Sequence, residues 1–165
     1  WIVSLDAWDP ALYRKLRGNG MEEAVSFARE LLRLAPGSTH VQAVRMKENE
    51  EDIETFYREW KGITENVIIQ KYDSCAGALP DRSVADLSPL NRFPCWHLKR
   101  DLPILMDGTV LNCREETSAA RSPGNILETG LAEIWERGTD LYRAHCAGTY
   151  PEFCLGCDEY YTYNF

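Results

Sequence analysis

The chain has 165 residues, 44% hydrophobic and 27% charged. That balance belongs to a soluble globular protein able to bury a core, and it excludes disorder. Lys and Arg number 18 against 26 Asp and Glu, a net charge of −8 with no basic stripe, so a nucleic-acid partner is excluded. No apolar run reaches the ~20 residues that a membrane helix requires, so a membrane partner is not expected either. The first residue is Trp1 rather than Met, which reads as a processed chain or a piece of a longer one. No leader signals secretion, and a cytoplasmic location with reduced thiols is expected.

The first 75 residues alternate strand and helix. Ile2–Asp6 is a short β-prone run. Asp9-Pro10 is a helix cap followed by Pro at the first helical position, opening a brief helix through Leu12, Tyr13 and Leu16 that Gly18 ends. Met21, Ala24, Val25, Ala28, Leu31, Leu32 and Ala35 form one apolar stripe at helical spacing, stopped by Pro36-Gly37. Val41–Met46 is a second strand. Asn49 is the expected cap of a helix whose face is Ile53, Phe56, Tyr57 and Trp60, and Val67–Lys71 is a third strand. Short connections in a β-α-β-α-β string make the strands parallel. Such a string is either a small open α/β sheet or the later part of a larger α/β barrel. The long bare edges of the former favour the latter.

From about Cys75 to Pro94 the chain is rich in Gly, Pro, Ser and Asp, as in a linker. Asp107-Gly108, between Leu102–Met106 and Val110–Cys113, signals a β-hairpin. Leu131, Ile134 and Trp135 mark a final helix entered at Thr129-Gly130.

Of the six cysteines, only Cys75 precedes residue 95. Cys154 and Cys157 form a Cys-x2-Cys pair, a turn that points two thiolates at one metal. The expected hairpin brings Cys113 back towards Cys95, and these two complete a set of four. Four soft ligands suit tetrahedral zinc and an iron–sulfur cluster alike, and spacing does not separate them. Cys75 and Cys146 read as spare thiols, with Cys146 the main rival for a place in the set. His97, two residues after Cys95, is a further candidate ligand but reads first as a packed side chain.

The succession Cys95-Trp96-His97-Leu98, Leu105–Cys113, Gly124-Asn125-Ile126-Leu127, Leu131–Trp135 and Cys154-Leu155-Gly156-Cys157 contains the pattern Cys-x12-Gly-x4-Cys followed by Cys-x2-Cys. It resembles the SPASM/twitch auxiliary-cluster domain of radical S-adenosylmethionine (radical SAM) enzymes. Ser4-Leu5-Asp6-Ala7 and Tyr13–Gly18 are similar to the stretch after the fourth strand of their partial (β/α)6 barrel. The resemblance implies an α/β fold: the C-terminal portion of a partial TIM-like barrel over 1–75, a linker over 76–93, and a small Cys-rich α+β domain with a β-hairpin over 94–165. It implies one auxiliary [4Fe-4S] cluster on Cys95, Cys113, Cys154 and Cys157, with Ser4 and Arg17 near S-adenosylmethionine in the full-length protein. Ser4 and Asp6, of one strand parity, are then expected to face the barrel lumen, with Gln42 and Gln70 beside them.

Two departures matter. The Cys-x3-Cys-x2-Cys loop that cleaves S-adenosylmethionine is absent from these residues, and the family places it upstream of Trp1, so this chain alone is expected to be inactive. A full SPASM domain carries more cysteines after Cys157; after five intervening positions this chain has Tyr163, which leaves ligands for one cluster. A related mechanism uses an Asp directly after the second cysteine as base, where this chain has Arg114. Glu115 offers a substitute, but its charged run reads as a solvated surface. The implied activity is that of an oxidoreductase or a peptide- or small-molecule-modifying enzyme served by an electron-donor protein. The competing readings are a non-enzymatic, zinc-stabilised α/β binding module and a small electron carrier.

Overall fold

In a computed structural model of the protein, residues 1–85, 88–116 and 119–161 are described. The chain forms two compact units: Trp1–Tyr72 with Arg82–Asp86, and Asp73–Asp81 with Leu87–Phe165. The segment expected as a linker is therefore divided between them. No helix among the described residues is long and apolar enough to cross a membrane.

The first unit runs β1 (Ile2–Ser4), α1 (Pro10–Arg17), α2 (Met21–Leu34), β2 (His40–Arg45), α3 (Ile53–Lys61) and β3 (Val67–Lys71). Its sheet is parallel throughout, in the order β1-β2-β3, with Val3 beside Val41 and Val41 beside Val67. Residues adjacent in a parallel register share a face. Val3, Val41, Ala43, Val67 and Ile69 form one face and pack with Tyr13, Ala28, Phe56 and Trp60 from all three helices. Ser4, Gln42, Val44, Ile68 and Gln70 share the opposite face. There Gln42 Nε2 donates to Ser4 Oγ at 3.2 Å, while Gln70 is exposed.

Local chemistry sets the helix ends. Asp9 Oδ1 accepts from Leu12 N at 2.7 Å and Pro10 is the first helical residue. Asn49 does something other than the capping expected of it. The residue before α3 is Asp52, and Asn49 is fully buried as a polar plug. Its Oδ1 accepts from Met46 N, and its Nδ2 donates to the carbonyls of Asp6 and Val44, each at 2.8 Å. Asp6 also departs from the expected strand parity. It lies beyond β1 with φ of 64°, accepts from Val44 N at 2.8 Å and is paired with Arg17 at 2.6 Å.

The second unit contains β4 (Thr109–Val110), β5 (Gly124–Asn125), α4 (Leu131–Cys146) and α5 (Glu152–Leu155). The Asp107-Gly108 turn forms, with Gly108 N donating to Leu105 O at 2.9 Å, but the hairpin beyond it shrinks to a single bridge between Ile104 and Val110. Pro103 has no N–H to extend that ladder. The strand partner of β4 is instead β5, antiparallel. Gly108 is required here: its φ is 85°, and a Cβ would lie 2.6 Å from Asn125 Oδ1 and 2.9 Å from Leu127 Cγ. Cys95, Leu98 and Tyr160 form a small core with Cys113, Leu141 and Tyr142.

Candidate metal centre

Cys95 immediately precedes a 3-10 turn over Trp96–Lys99. Cys113 follows β4, and Cys154 lies in α5. A tight turn with Cys157 N donating to Cys154 O at 3.2 Å sets the last cysteine beside it. All four line one pocket, together with Arg92, Leu98, Glu115, His145, Phe153 and Tyr160. Three of the sulfurs are met by backbone N–H groups from just downstream. Glu115 N donates to Cys113 Sγ and Glu159 N to Cys157 Sγ, each at 3.4 Å. The amides of His97 and Leu98 serve Cys95. Such donors stabilise a thiolate over a thiol.

Burial works the other way. It pushes the Cys113 thiol up to about 12 and those of Cys154 and Cys157 to about 11. Cys95 is also raised, by burial first. Four crowded sulfurs in an apolar pocket are poorly stable as free thiolates, and a bound cation resolves the conflict by deprotonating them outright.

Four thiolates converging on one pocket are the donor set of both tetrahedral zinc and an iron–sulfur cluster. Among the described residues, a second group of ligand atoms, within 4.8 Å of one another, is Asp73, Cys75 and Glu115.

The remaining candidates fall elsewhere. Cys146 is exposed at the end of α4. His97 is buried, with Nδ1 2.6 Å from Asp101 Oδ2. Cys75 sits at φ of 52° beside Asp73 and Glu115. Glu115 corrects the expectation of a solvated carboxylate: it is buried, and Arg114 Nε donates to it at 2.8 Å. Burial, then the neighbouring Asp73, pushes its carboxyl up to about 7. Arg114 also bonds Glu159 at 2.8 Å, so the residue that replaces the expected base is the hub of a carboxylate network. Ser4 and Arg17 have separate partners, Gln42 and Asp6. Tyr163 lies outside the described residues.

Two residues of the pocket carry no spacing signal in the sequence. His145 is 1% exposed; its Nδ1 accepts from Cys95 N at 3.3 Å, which places the ring proton on Nε2. Arg92 lies between the rings of Tyr150 and Tyr160, 4.7 and 4.4 Å from their centroids. Its position three residues before Cys95 is the one hint available in advance.

Comparison with known proteins agrees with this chemistry. Residues 95–158 match the SPASM family, described as an iron-sulfur cluster-binding domain. The chain is 46% identical over 172 aligned positions to an uncharacterized protein of Treponema pallidum (strain Nichols). That alignment takes in 100% of this chain and 48% of the relative, so the chain spans about half the length of the protein it matches. No solved structure matches the chain.

Proposed function

We propose that this chain, whose residues 95–158 are a SPASM domain, is the C-terminal portion of a radical SAM enzyme. Cys95, Cys113, Cys154 and Cys157 bind one auxiliary [4Fe-4S] cluster. The observation that carries the reading is the convergence of these four cysteines on one pocket, within residues that match an iron-sulfur cluster-binding domain. When bound, such a cluster supplies one-electron redox chemistry, which in an oxidoreductase removes an electron from a substrate radical.

The chain's own residues hold that chemistry in place. Four thiolates saturate the four corners and keep substrate from binding iron directly. Backbone N–H groups at three sulfurs favour the thiolate form. Leu98, Phe153 and Tyr160 limit water around it.

In the full-length protein the first unit contributes strands to a partial (β/α)6 barrel. Its helices pack on one face of the sheet while Ser4, Gln42, Val44, Ile68 and Gln70 share the other, the arrangement expected of one wall of a barrel. Ser4 then lies near S-adenosylmethionine, and Arg17, fixed by Asp6, stands at the rim. The substrate is a peptide or small molecule, an electron-donor protein reduces the system, and the enzyme works in the cytoplasm.

Anaerobic reconstitution with iron and sulfide tests the reading. About four irons and four sulfides per chain are expected, with the brown colour and reduced-state paramagnetic signal of a [4Fe-4S] centre. A colourless protein that retains one zinc when iron is supplied refutes the cluster. A full-length gene without Cys-x3-Cys-x2-Cys upstream of these residues refutes the radical enzyme.

A further inference from the structure

The four-cysteine pocket also contains two buried nitrogen donors without a hydrogen-bond acceptor among the described residues: Arg92 Nε and His145 Nε2. A buried N–H left unpaired costs about 1–3 kcal/mol, so two of them against one set of thiols need an explanation. Their protein contacts fix them without satisfying them. His145 is held by the Cys95 amide at its other nitrogen and by Tyr150, whose ring meets it edge-on at 4.8 Å. The Arg92 guanidinium is gripped by the Tyr150 and Tyr160 rings, and its Nη1 reaches the Cys157 carbonyl at 3.5 Å. Tyr150 thus orients both donors from one side chain.

Resting on the cluster reading above, we infer that Arg92 Nε and His145 Nε2 donate hydrogen bonds to the sulfurs of the auxiliary cluster and hold its reduction potential high. A reduced cluster is more negative than an oxidised one. A donor and a fixed cation at its sulfurs therefore stabilise the reduced form preferentially. Arg92 supplies both; His145 supplies a neutral donor. Such a cluster accepts an electron readily and returns it reluctantly, which suits withdrawal of an electron from a substrate radical.

The test is a redox titration of the reconstituted full 165-residue chain, followed by its reduced-state paramagnetic signal, beside His145→Phe and Arg92→Gln. Each substitution is expected to shift the reduction equilibrium at least about tenfold towards the oxidised form, which is 59 mV for a one-electron couple. Arg92→Lys keeps the charge without the Nε donor, and its shift should be smaller than that of Arg92→Gln. Four-iron clusters with unshifted potentials in both variants overturn the inference and leave the cluster itself standing. Failure of the unsubstituted chain to assemble a cluster is the separate failure of the function proposed above. If the variants do not assemble, the unsubstituted chain labelled with nitrogen-15 in its histidine and arginine side chains still decides: its reduced cluster must show hyperfine coupling to that label. Absence of the coupling overturns the assignment.

Discussion

Gly108→Ala isolates the demand that the cysteine motif makes on its central glycine. At φ of 85° the new side chain sits in the left-handed region, costing about 1–2 kcal/mol. Its Cβ also lies 2.6 Å from Asn125 Oδ1 and 2.9 Å from Leu127 Cγ. Neither atom can withdraw freely. Asn125 Nδ2 donates to the Asp107 carbonyl at 2.9 Å while its Oδ1 accepts from Leu127 N at 2.8 Å, so forcing them apart breaks the link between β4 and β5. Overpacking of this kind adds about 1–3 kcal/mol, for a total of about 2–5 kcal/mol. Amide hydrogen exchange over residues 103–127 should read this as a fall in protection of about 30- to 5,000-fold. Gly148→Ala is the matched control, with φ of 75° and no atom within 4 Å of the added Cβ. It should show the conformational cost alone, confined to the end of α4. Protection in Gly108→Ala within threefold of the unsubstituted chain, or a loss equal to that in Gly148→Ala, refutes the steric reasoning.

Cys113→Ser should lower bound iron in the reconstituted chain at least tenfold, whereas Cys146→Ser should leave it unchanged; iron analysis separates the pocket thiols from the exposed one. Asn49→Ala strands three buried backbone groups and should cost about 3 kcal/mol or more; a loss under about 1 kcal/mol in urea unfolding of the first unit contradicts the plug. Asp101 is held at about 2 chiefly by Arg100 and then by His97, so its folded value is depressed. Its contribution is present above the ordinary carboxylate value and disappears as pH falls through about 2. With solvent screening it amounts to about 1 kcal/mol. The stability gap between the unsubstituted chain and Asp101→Asn should be open at pH 6, narrow below about pH 4, and close only as pH falls below about 2.

What the sequence made legible was local. Asp9-Pro10 specifies a helix start within four residues, and the stripe from Met21 to Leu32 specifies a buried face by spacing alone. The Cys-x2-Cys turn and the glycine motif single out the four cysteines that the structure brings to one pocket. Asn49 was misread because its partners include the carbonyl of Asp6, 43 residues away; no local pattern separates a helix cap from a plug with the same residue type. Glu115 was misread for the same reason. Its charged neighbours suggest solvent, but Asp73 and Glu159 converge with it on Arg114. The hairpin turn was legible, yet the partner of β4 came from β5 because Pro103 cannot extend the nearer ladder. His145 carries no pattern, and Arg92 only its nearness to Cys95, since an unpaired donor is visible only once the groups around it are placed.

The pocket cysteines enter the chain in two instalments, one pair before α4 and one pair after it. That division bears on the order of biogenesis. A nascent chain that has exposed only Cys95 and Cys113 can offer two thiols, a grip weak enough for any metal caught early to exchange. For the cluster proposed above, the second pair of ligands becomes available only once α4 has been synthesised.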